Sequence, residues 1–472
     1  MSVLTATAST AESANPLIGS APPSPAGPVE TLDGLATPPH IRWPRPVQVV
    51  WFGQRQWHFM FHHQQKFGGV WLANGYVRGS TAATYHPDHV RSLFKAPPDL
   101  VPTLAAESPL RPVLGDGSVL TSNGPRHLRQ RKLLLPPFHG EAIARYEQMI
   151  ADAAEREIDR WTVGKPFALA PRMQAITLDV IMAGIFGIEG RPRAGTAERA
   201  LRDAIKSVLW SSTQPGAKLA EWMNIGHDEP FGLTWLGLFI PDRCMYAVIA
   251  KRRRDQDLEQ RTDIMSLIMR ARTEDGETLT DDELRDELMT LVLAGHETTA
   301  NQLAWAWERL VRTPAAHELL IESVRGDAPN ADEVIEATIN EAMRVRPVIP
   351  VTGRRVTVPW QLGEYGIPAD TGVAISILLL HHREDLYPDP FSFRPERWFG
   401  HKPGTYEWLP FGGGTRRCLG AALAMAEQRV VLRAMAERLD LKAADERPEQ
   451  PKHRNVTMIP ARGGRVVIRA KR

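Results

Sequence analysis

The longest stretch of helical periodicity in the chain begins at Thr280 and ends before Pro314. Thr280 and Glu283 form a capping-box pattern, and Leu279 with Leu284 supplies the matching hydrophobic staple. Apolar residues then recur at helical spacing, at Leu288, Leu291, Val292, Leu303 and Leu310. Because proline cannot continue a helix, the pattern predicts a helix of about 33 residues, roughly 50 Å long.

The rest of the pattern predicts a mainly helical protein with a small strand-rich part. Helical periodicity dominates residues 140–345, whereas residues 352–358 and the apolar run 373–380 are typical of short strands. The sequence contains no internal repeat, and no long linker follows residue 45. Length alone would suggest about three domains in a chain of 472 residues.

Composition excludes several classes of protein. The formal net charge of +2 argues against nucleic acid as a main partner. The two cysteines, Cys244 and Cys418, exclude a disulfide framework and favour a reducing compartment. No stretch approaches the apolar length needed to span a bilayer, and the apolar run 180–186 is far too short, so we expect no transmembrane anchor and a cytoplasmic protein.

The first 41 residues contain no lysine or arginine, which argues against a signal peptide or an arginine-rich transit peptide. This segment is rich in alanine, serine, threonine and proline, and it offers little apolar surface to bury. We therefore predict a disordered leader over residues 1–40, followed by one domain over residues 41–472.

A glycine-rich loop at residues 411–420 delivers Cys418 to the start of an apolar helix. Consecutive glycines let the backbone bend around a partner, and a helix N-terminus favours a thiolate. A single thiolate in such a loop suits a nucleophile or an axial iron ligand. The alternative interpretation is a buried core cysteine without chemistry.

The same loop resembles the cysteine-ligand loop of the haem-thiolate monooxygenases, the cytochrome P-450 family. Phe411, Gly414, Arg416, Cys418 and Gly420 occupy all the positions of that pattern. The resemblance implies a mainly α fold with a small β-rich lobe, built as a single large domain around a buried haem. It also implies heme b (iron protoporphyrin IX), with Cys418 as the axial thiolate ligand and Phe411 against the cofactor.

A second motif, residues 294–299, lies in the middle of the long predicted helix. Ala294 and Gly295 leave room for a flat ligand, and the hydroxyl of Thr298 can bond to the carbonyl four residues earlier and loosen the helix. Glu297 and Thr298 can relay protons through water. The segment resembles the family's oxygen-activation motif, with His296 as a spacer. A core helix with an incidental polar pair is the alternative.

Glu341 and Arg344 lie at i and i+3 of a predicted helix, a pair that is weak evidence alone. Residues 393–398 resemble a second structural signature of the family. The resemblance implies that Arg397 joins Glu341 and Arg344 in a buried charge network that supports the haem side of the fold.

Haem carries two propionates, and the resemblance implies basic residues that bind them. His127 and Arg131 lie on one face of a helix, Arg354 comes just before a predicted strand, and Arg416 lies two residues before the cysteine. Arg355 is the alternative to Arg354 if the register shifts. Each could otherwise be a solvated surface charge.

Four further basic residues, Arg126, Arg129, Lys132 and Arg417, are predicted to point outward on the cysteine side of the domain. A basic surface attracts an acidic electron donor, although ordinary surface charge is the simpler interpretation. The chain contains no flavin-binding or iron–sulfur motif. We therefore expect a separate donor, a ferredoxin with its ferredoxin reductase, and a monomeric enzyme.

The implied reaction is insertion of one oxygen atom from dioxygen into a lipophilic small molecule, by hydroxylation or epoxidation. The predicted pocket walls are apolar and come from residues 104–119, from Leu291, Ala294 and Thr298, and from residues 348–351. A peroxide-driven peroxygenase or isomerase would keep Cys418 without needing the acid–alcohol pair. A non-enzymatic haem sensor would need neither a proton relay nor a substrate cavity.

Overall fold

The structure, a computed structural model, describes residues 20–75, 79–138 and 140–472. Within these residues the helices are α1 (Arg45–Phe67), α2 (Pro87–Lys95), α3 (Arg111–Leu114), α4 (Gly124–Leu134), α5 (Glu141–Asp159), α6 (Leu169–Phe186), α7 (Ala197–Ser211), α8 (Pro215–Met223), α9 (Leu233–Arg253), α10 (Ile264–Arg270), α11 (Asp281–Leu310), α12 (Pro314–Arg325), α13 (Ala331–Val345), α14 (Ile377–Leu380) and α15 (Ala421–Arg438).

The strands of the same residues are β1 (Ala26–Pro28), β2 (Val70–Asn74), β3 (Ser80–Thr84), β4 (Phe167–Ala168), β5 (Val351–Val356), β6 (Trp360–Leu362), β7 (Tyr365–Ile367), β8 (Thr371–Ser376), β9 (Leu439–Ala443), β10 (Pro451–Arg454), β11 (Thr457–Pro460) and β12 (Arg465–Lys471). They form small sheets, in the orders β1-β6-β7, β10-β11, β4-β12-β9 and β2-β3-β8-β5. The prediction of a mainly helical fold with a small strand-rich lobe is confirmed.

The long central helix α11 organises the helical part. Its capping box is present: the Thr280 side chain accepts from the Glu283 amide, and the Glu283 carboxylate accepts from the Thr280 amide. The helix runs for 30 residues, and α12 begins at Pro314. Its buried face packs against α6, which is largely apolar and buried. α11 remains helical throughout, so the predicted local opening at Thr298 is wrong.

The four-stranded sheet corrects one strand prediction. β8 ends at Ser376, and the remaining apolar residues of the predicted strand form the helical turn α14. Ser376 starts that turn because its hydroxyl accepts a hydrogen bond from the Leu379 amide at 3.1 Å. The run is almost fully buried, so its apolar pattern could not distinguish strand from helix.

The predicted leader is also corrected, for its second half. β1 pairs antiparallel with β6, and the flanking amides of Val29 and Gly363 bond to the carbonyls of Pro359 and Pro25. Main-chain hydrogen bonds therefore hold this segment, which needs no large apolar surface of its own. The prediction for residues 1–19 lies outside the described residues.

The predicted buried charge network of Glu341, Arg344 and Arg397 is present in the structure. Glu341, Arg344 and Arg397 are all buried. Arg344 donates to both Glu341 oxygens at 2.8 Å, and Arg397 donates to Oε1 at 3.1 Å. The Trp398 ring and the Arg394 amide complete the carboxylate's partners. The network joins α13 to the segment that precedes the cysteine loop.

Two described helices are long and apolar enough to cross a membrane, α6 and α9. This finding corrects the expectation that no stretch approaches that length. The apolar stretch of α6 is 72% buried, as expected of a core helix, whereas the apolar stretch of α9 is only 28% buried. Much of the apolar surface of α9 is therefore exposed.

Candidate functional site

The cysteine loop folds back on itself ahead of α15. The Cys418 amide donates to the Phe411 carbonyl at 2.9 Å, which closes the loop. Gly412 and Gly414 have φ angles of +66° and +64°, in the left-handed region that other residues rarely adopt. α15 then begins three residues after Cys418, so the sequence prediction for this loop matches the structure.

The loop also packs tightly on Phe94, at the end of α2. A Cβ at Gly413 would clash with the Phe94 ring, and one at Gly414 would clash with its carbonyl oxygen. The Arg354 guanidinium lies 5.2 Å from the centre of the same ring. Phe94 thus links the loop to the basic residues of the site, a role that no sequence signal indicated.

Opposing effects act on the pKa of the Cys418 thiol. Burial raises its pKa, while a hydrogen bond from the Gly420 amide and the charges of Arg131 and Arg417 oppose that effect. The predicted lowering of the thiol pKa by the loop is therefore wrong for the protein alone, because desolvation outweighs the local dipoles. A metal cation bound to the sulfur would deprotonate it. As a residue Cys418 is nevertheless exposed, so a group can be placed against the loop at this position.

Four basic residues predicted from different parts of the sequence come together near this loop. The charges of Arg416, Arg131 and Arg354 add to burial in lowering the pKa of His127 to about 4. The charges of Arg354 and Arg131 likewise help to lower the pKa of Arg416 to about 10, although burial is the larger cause. Such mutual effects require that the four groups lie close to one another.

No carboxylate of the described residues forms an ion pair with any of these four groups. Arg354 is almost fully buried, and burial lowers its pKa to about 10. Arg416 binds only neutral acceptors: the Ser122 carbonyl at 2.5 Å, the Asn123 side chain at 2.8 Å and two more distant carbonyls. Arg354 is thus a buried cation without an anion, which is costly. The cluster therefore fits a ligand that brings its own negative charges, as the two propionates of haem do.

Arg354 and Arg355 have different partners. Arg355 donates to both oxygens of Glu107 at 2.7 Å and is thus already neutralised. Arg354 lies on the other side of β5 and has no acidic partner among the described residues. It lies within β5, which matches the strand predicted over residues 352–358, and not just before a strand. Arg354, and not Arg355, is the residue available to an anionic ligand.

The middle of α11 presents a small accessible face. Ala294 is exposed although it lies between the buried residues Val292 and His296. The Thr298 hydroxyl donates to the Ala294 carbonyl at 2.7 Å, as predicted. Gly295 has a different role, because a Cβ there would press against Ile181 of α6. The small residue at 295 allows close helix packing, while Ala294 leaves the accessible face open.

Glu297 has partners that the sequence did not indicate. Its Oε1 accepts from the Arg454 guanidinium at 2.7 Å and from the Thr457 hydroxyl at 2.9 Å. Both partners lie at the turn between β10 and β11. His296 is packed, as expected for a spacer: it is buried, Nε2 contacts the Gln174 carbonyl at 3.1 Å, and burial lowers its pKa to about 4.

The loop after α3, predicted to line the pocket, is fixed to α11. The amides of Gly117 and Val119 donate to Asp286 at 2.8 Å and to Glu287 at 2.9 Å. The Glu287 carboxyl is fully buried, and its desolvation raises its pKa well above the usual range. Sequence analysis missed Asp286 and Glu287, which resemble ordinary helix-surface residues.

The predicted basic surface is smaller than expected. Arg129 pairs with Glu277 at 3.2 Å and with Glu283 at 3.0 Å, and Lys132 pairs with Glu274 at 3.1 Å. Arg126 and Arg417 are exposed and form no ion pair with the described residues. Only these two of the four predicted residues offer uncompensated charge.

Comparison with known proteins identifies the class. The sequence model of the cytochrome P450 family matches residues 37–467. The chain belongs to the cytochrome P450 family. It is therefore a haem-thiolate protein, and its cofactor is iron protoporphyrin IX bound through a cysteine. Membership of the family also assigns it, in general terms, to the haem monooxygenases.

Relatives in mycobacteria cover nearly the whole chain. A putative cytochrome P450 135B1 of Mycobacterium tuberculosis is 37% identical over 448 residues, which span 93% of this chain and 92% of the relative. A putative cytochrome P450 138 of the same species is 35% identical, over 95% of this chain and 98% of the relative.

Solved structures show the same fold. The retinoic acid-bound cyanobacterial CYP120A1 superposes with a TM-score of 0.76 at 20% identity, covering 92% of this chain and 100% of that structure. The haem domain of cytochrome P450DA superposes with a TM-score of 0.76 at 22% identity, covering 93% of this chain and 98% of that structure. At this level of identity the similarity concerns the fold.

Proposed function

We propose that this protein is a monooxygenase that hydroxylates or epoxidises a lipophilic small molecule, with electrons from a separate ferredoxin and its reductase. One observation carries the proposal: Arg131, Arg354 and Arg416 form a cationic cluster without a carboxylate of its own among the described residues, with the neutral His127 among them and the exposed Cys418 beside them. In this assignment Cys418 is the iron ligand, the cluster binds the propionates, and Phe411 and Ala294 border the cofactor. Gly295 supports this site through helix packing.

When bound, thiolate-ligated haem supplies the activation of dioxygen, with two electrons and two protons, so that one oxygen atom enters the substrate and the other leaves as water. The protein residues supply positioning and protons. The Thr298 hydroxyl holds water at the accessible face of α11 while it donates to the Ala294 carbonyl. Arg454 and Thr457 hold Oε1 of Glu297, which leaves Oε2 to exchange protons with that water.

Replacing Thr298 by alanine should uncouple the reaction. We expect substrate binding to survive, because the apolar wall remains. Most of the electrons that the ferredoxin system delivers should instead be spent on forming hydrogen peroxide. The measurement is the ratio of product formed to electrons consumed. Thr298→Ser, which keeps the hydroxyl, is the matched control and should retain most of the coupling. An unchanged ratio in Thr298→Ala would make Thr298 a packing residue only.

Electron transfer should depend on the two uncompensated basic residues. Arg126→Glu should slow reduction by a ferredoxin about tenfold at low salt, because it reverses a free charge on the docking surface. Lys132→Glu is the control and should have a smaller effect, since Glu274 already neutralises Lys132. Stopped-flow reduction at several salt concentrations measures both. Equal rates for Arg126→Glu and the native protein would place the donor elsewhere.

An apolar cluster on α11 and its neighbours indicates the substrate class. Leu114, Met289 and Leu238 form an apolar cluster, with Leu293 packed against it, next to Ala294. An apolar wall of this kind favours a terpenoid, a fatty acid or a steroid. Screening such compounds for a shift of the Soret band, followed by product analysis with the ferredoxin system, tests the proposal. We propose a monomeric, cytoplasmic enzyme without a transmembrane anchor.

A further inference from the structure

A pocket of about 340 Å³ lies between α1 and the segment that follows α14, and we call it the α1 pocket. Phe61 of α1, Tyr85, His382 and Phe391 supply its aromatic lining. None of its lining residues belongs to the cysteine loop, to the cationic cluster or to the accessible face of α11. Its volume suits a small molecule.

Three aromatic rings lie against one another in the lining of this pocket. The rings of Phe61 and Phe391 are 5.5 Å apart, and the His382 ring is 5.0 Å from Phe391 and 5.5 Å from Phe61. Phe391 is 59% exposed, although it is a large apolar side chain. An open aromatic ring offers an apolar contact and a face whose partial negative charge attracts cations.

His382 contributes a hydrogen-bond acceptor that has no donor. Its Nδ1 lies 2.8 Å from the Leu378 carbonyl, and because a carbonyl can only accept, Nδ1 carries the ring proton. Burial lowers the pKa of His382 well below its usual value, with the charge of Arg344 as a smaller cause, so the ring stays neutral. Nε2 is therefore a bare acceptor, and it has no hydrogen-bond partner among the described residues. Buried acceptors are normally paired, so this one favours a ligand that brings a donor.

The charges at the mouth of the pocket sum to one negative charge. Arg383 is neutralised by Asp385, to whose two oxygens it donates at 2.9 and 2.6 Å, and its guanidinium lies 5.7 Å from the centre of the Tyr85 ring. Glu384, the residue between them, is exposed and forms no ion pair within the described part of the chain. A free carboxylate beside aromatic rings favours a cation over an anion.

Arg346 is the nearest cation without a carboxylate partner, and it does not line the pocket. Its guanidinium lies 4.8 Å from the centre of the Trp57 ring and 5.4 Å from that of the Trp305 ring. These two rings hold its charge away from the mouth at Glu384. The pocket therefore keeps its preference for positive charge.

We propose that the α1 pocket binds a small aromatic cation that carries N–H donors. The rings of Phe61 and Phe391 receive its apolar part, Glu384 attracts its charge, and Nε2 of His382 accepts one of its hydrogen bonds. This ligand site is separate from the haem site and from the monooxygenase function proposed for it.

Three probes of nearly equal size and shape test the charge preference: benzamidine, benzamide and benzoate. At neutral pH benzamidine is a cation with N–H donors and without a free lone pair for iron. Isothermal titration calorimetry of the purified holoprotein at low salt should show saturable binding of benzamidine, about tenfold tighter than that of benzamide. Benzoate should not bind measurably, because Glu384 repels it and it offers no donor to His382.

Two variants test the location of the site. Glu384→Gln should weaken benzamidine binding about fivefold and leave benzamide binding unchanged, because it removes only the charge. Phe391→Ala should weaken benzamidine binding about fivefold through loss of the open ring. The matched controls Glu446→Gln and Phe239→Ala replace exposed residues of the same types elsewhere, and both should bind benzamidine as the native protein does.

The Soret band, recorded in the same titrations, shows whether benzamidine enters the haem site instead. We expect no shift at concentrations that saturate the α1 pocket. Absence of saturable binding, equal affinity for benzamidine and benzamide, or a Soret shift with the same midpoint would each overturn the proposal. So would pocket variants that bind benzamidine as tightly as the native protein. None of these readouts depends on turnover, so the proposed monooxygenase function stands or falls separately.

Discussion

Cys418→Ser should abolish the strongly red-shifted Soret band of the reduced carbonyl complex and all ferredoxin-supported turnover. The loop itself should persist, because its closing hydrogen bond joins the main chain of residues 418 and 411 and its glycines are unchanged. What is lost is the sulfur, the atom that receives the Gly420 amide and faces the charges of Arg131 and Arg417. A hydroxyl at this position cannot supply the electron donation of a thiolate.

Cys244→Ser is the matched control for this change. Cys244 is the second cysteine of the chain, it lies on α9 away from the loop, and burial raises its pKa. We expect its variant to keep the native carbonyl band. If Cys418→Ser retained the red-shifted band, or Cys244→Ser lost it, Cys418 could not be the iron ligand.

Glu341→Ala should be among the most destabilising single changes in the protein. Glu341 accepts hydrogen bonds from Arg344 and Arg397, and all three side chains are fully or almost fully buried. Removing the carboxylate leaves two guanidinium groups buried without an anion, which costs about 3–5 kcal/mol in comparable networks. We expect a large drop in the denaturation midpoint and poor haem retention, measured by chemical unfolding followed through circular dichroism and the Soret band.

Glu437→Ala provides the contrast for this prediction. Glu437 pairs with Arg433 at 3.8 Å across one helical turn, and both side chains are substantially exposed. Surface pairs of this kind contribute little to stability. We expect its unfolding curve to match that of the native protein. Similar curves for Glu341→Ala and Glu437→Ala would mean that the buried network does not support the fold.

Features with a local sequence signature were predictable. The capping box at Thr280 and the stop at Pro314 bounded α11 to within a few residues, because both signals act within one turn of a helix end. The cysteine loop was predictable for a similar reason: its glycines, its cysteine and the following helix are contiguous. The order of Glu341, Arg344 and Arg397 also allowed their network to be predicted, through the resemblance to a known family.

Features that depend on distant partners were not predictable. The carboxylates that neutralise Arg129 and Lys132, and the residues that hold Glu297, lie between 142 and 160 residues away along the chain. The pairing of β1 with β6 uses main-chain groups, which every sequence offers. The pKa of Cys418 depends on desolvation by the whole fold, which outweighs the dipoles that the sequence made visible.

Turnover under isotopically labelled dioxygen tests the central claim most directly. The substrate is a lipophile selected by its Soret shift, and the electrons come from a ferredoxin and its reductase. The account predicts that each product molecule carries one labelled oxygen atom and that product formation stops without the electron donor. Product that carries unlabelled oxygen, or product that forms without electron supply, would contradict a monooxygenase.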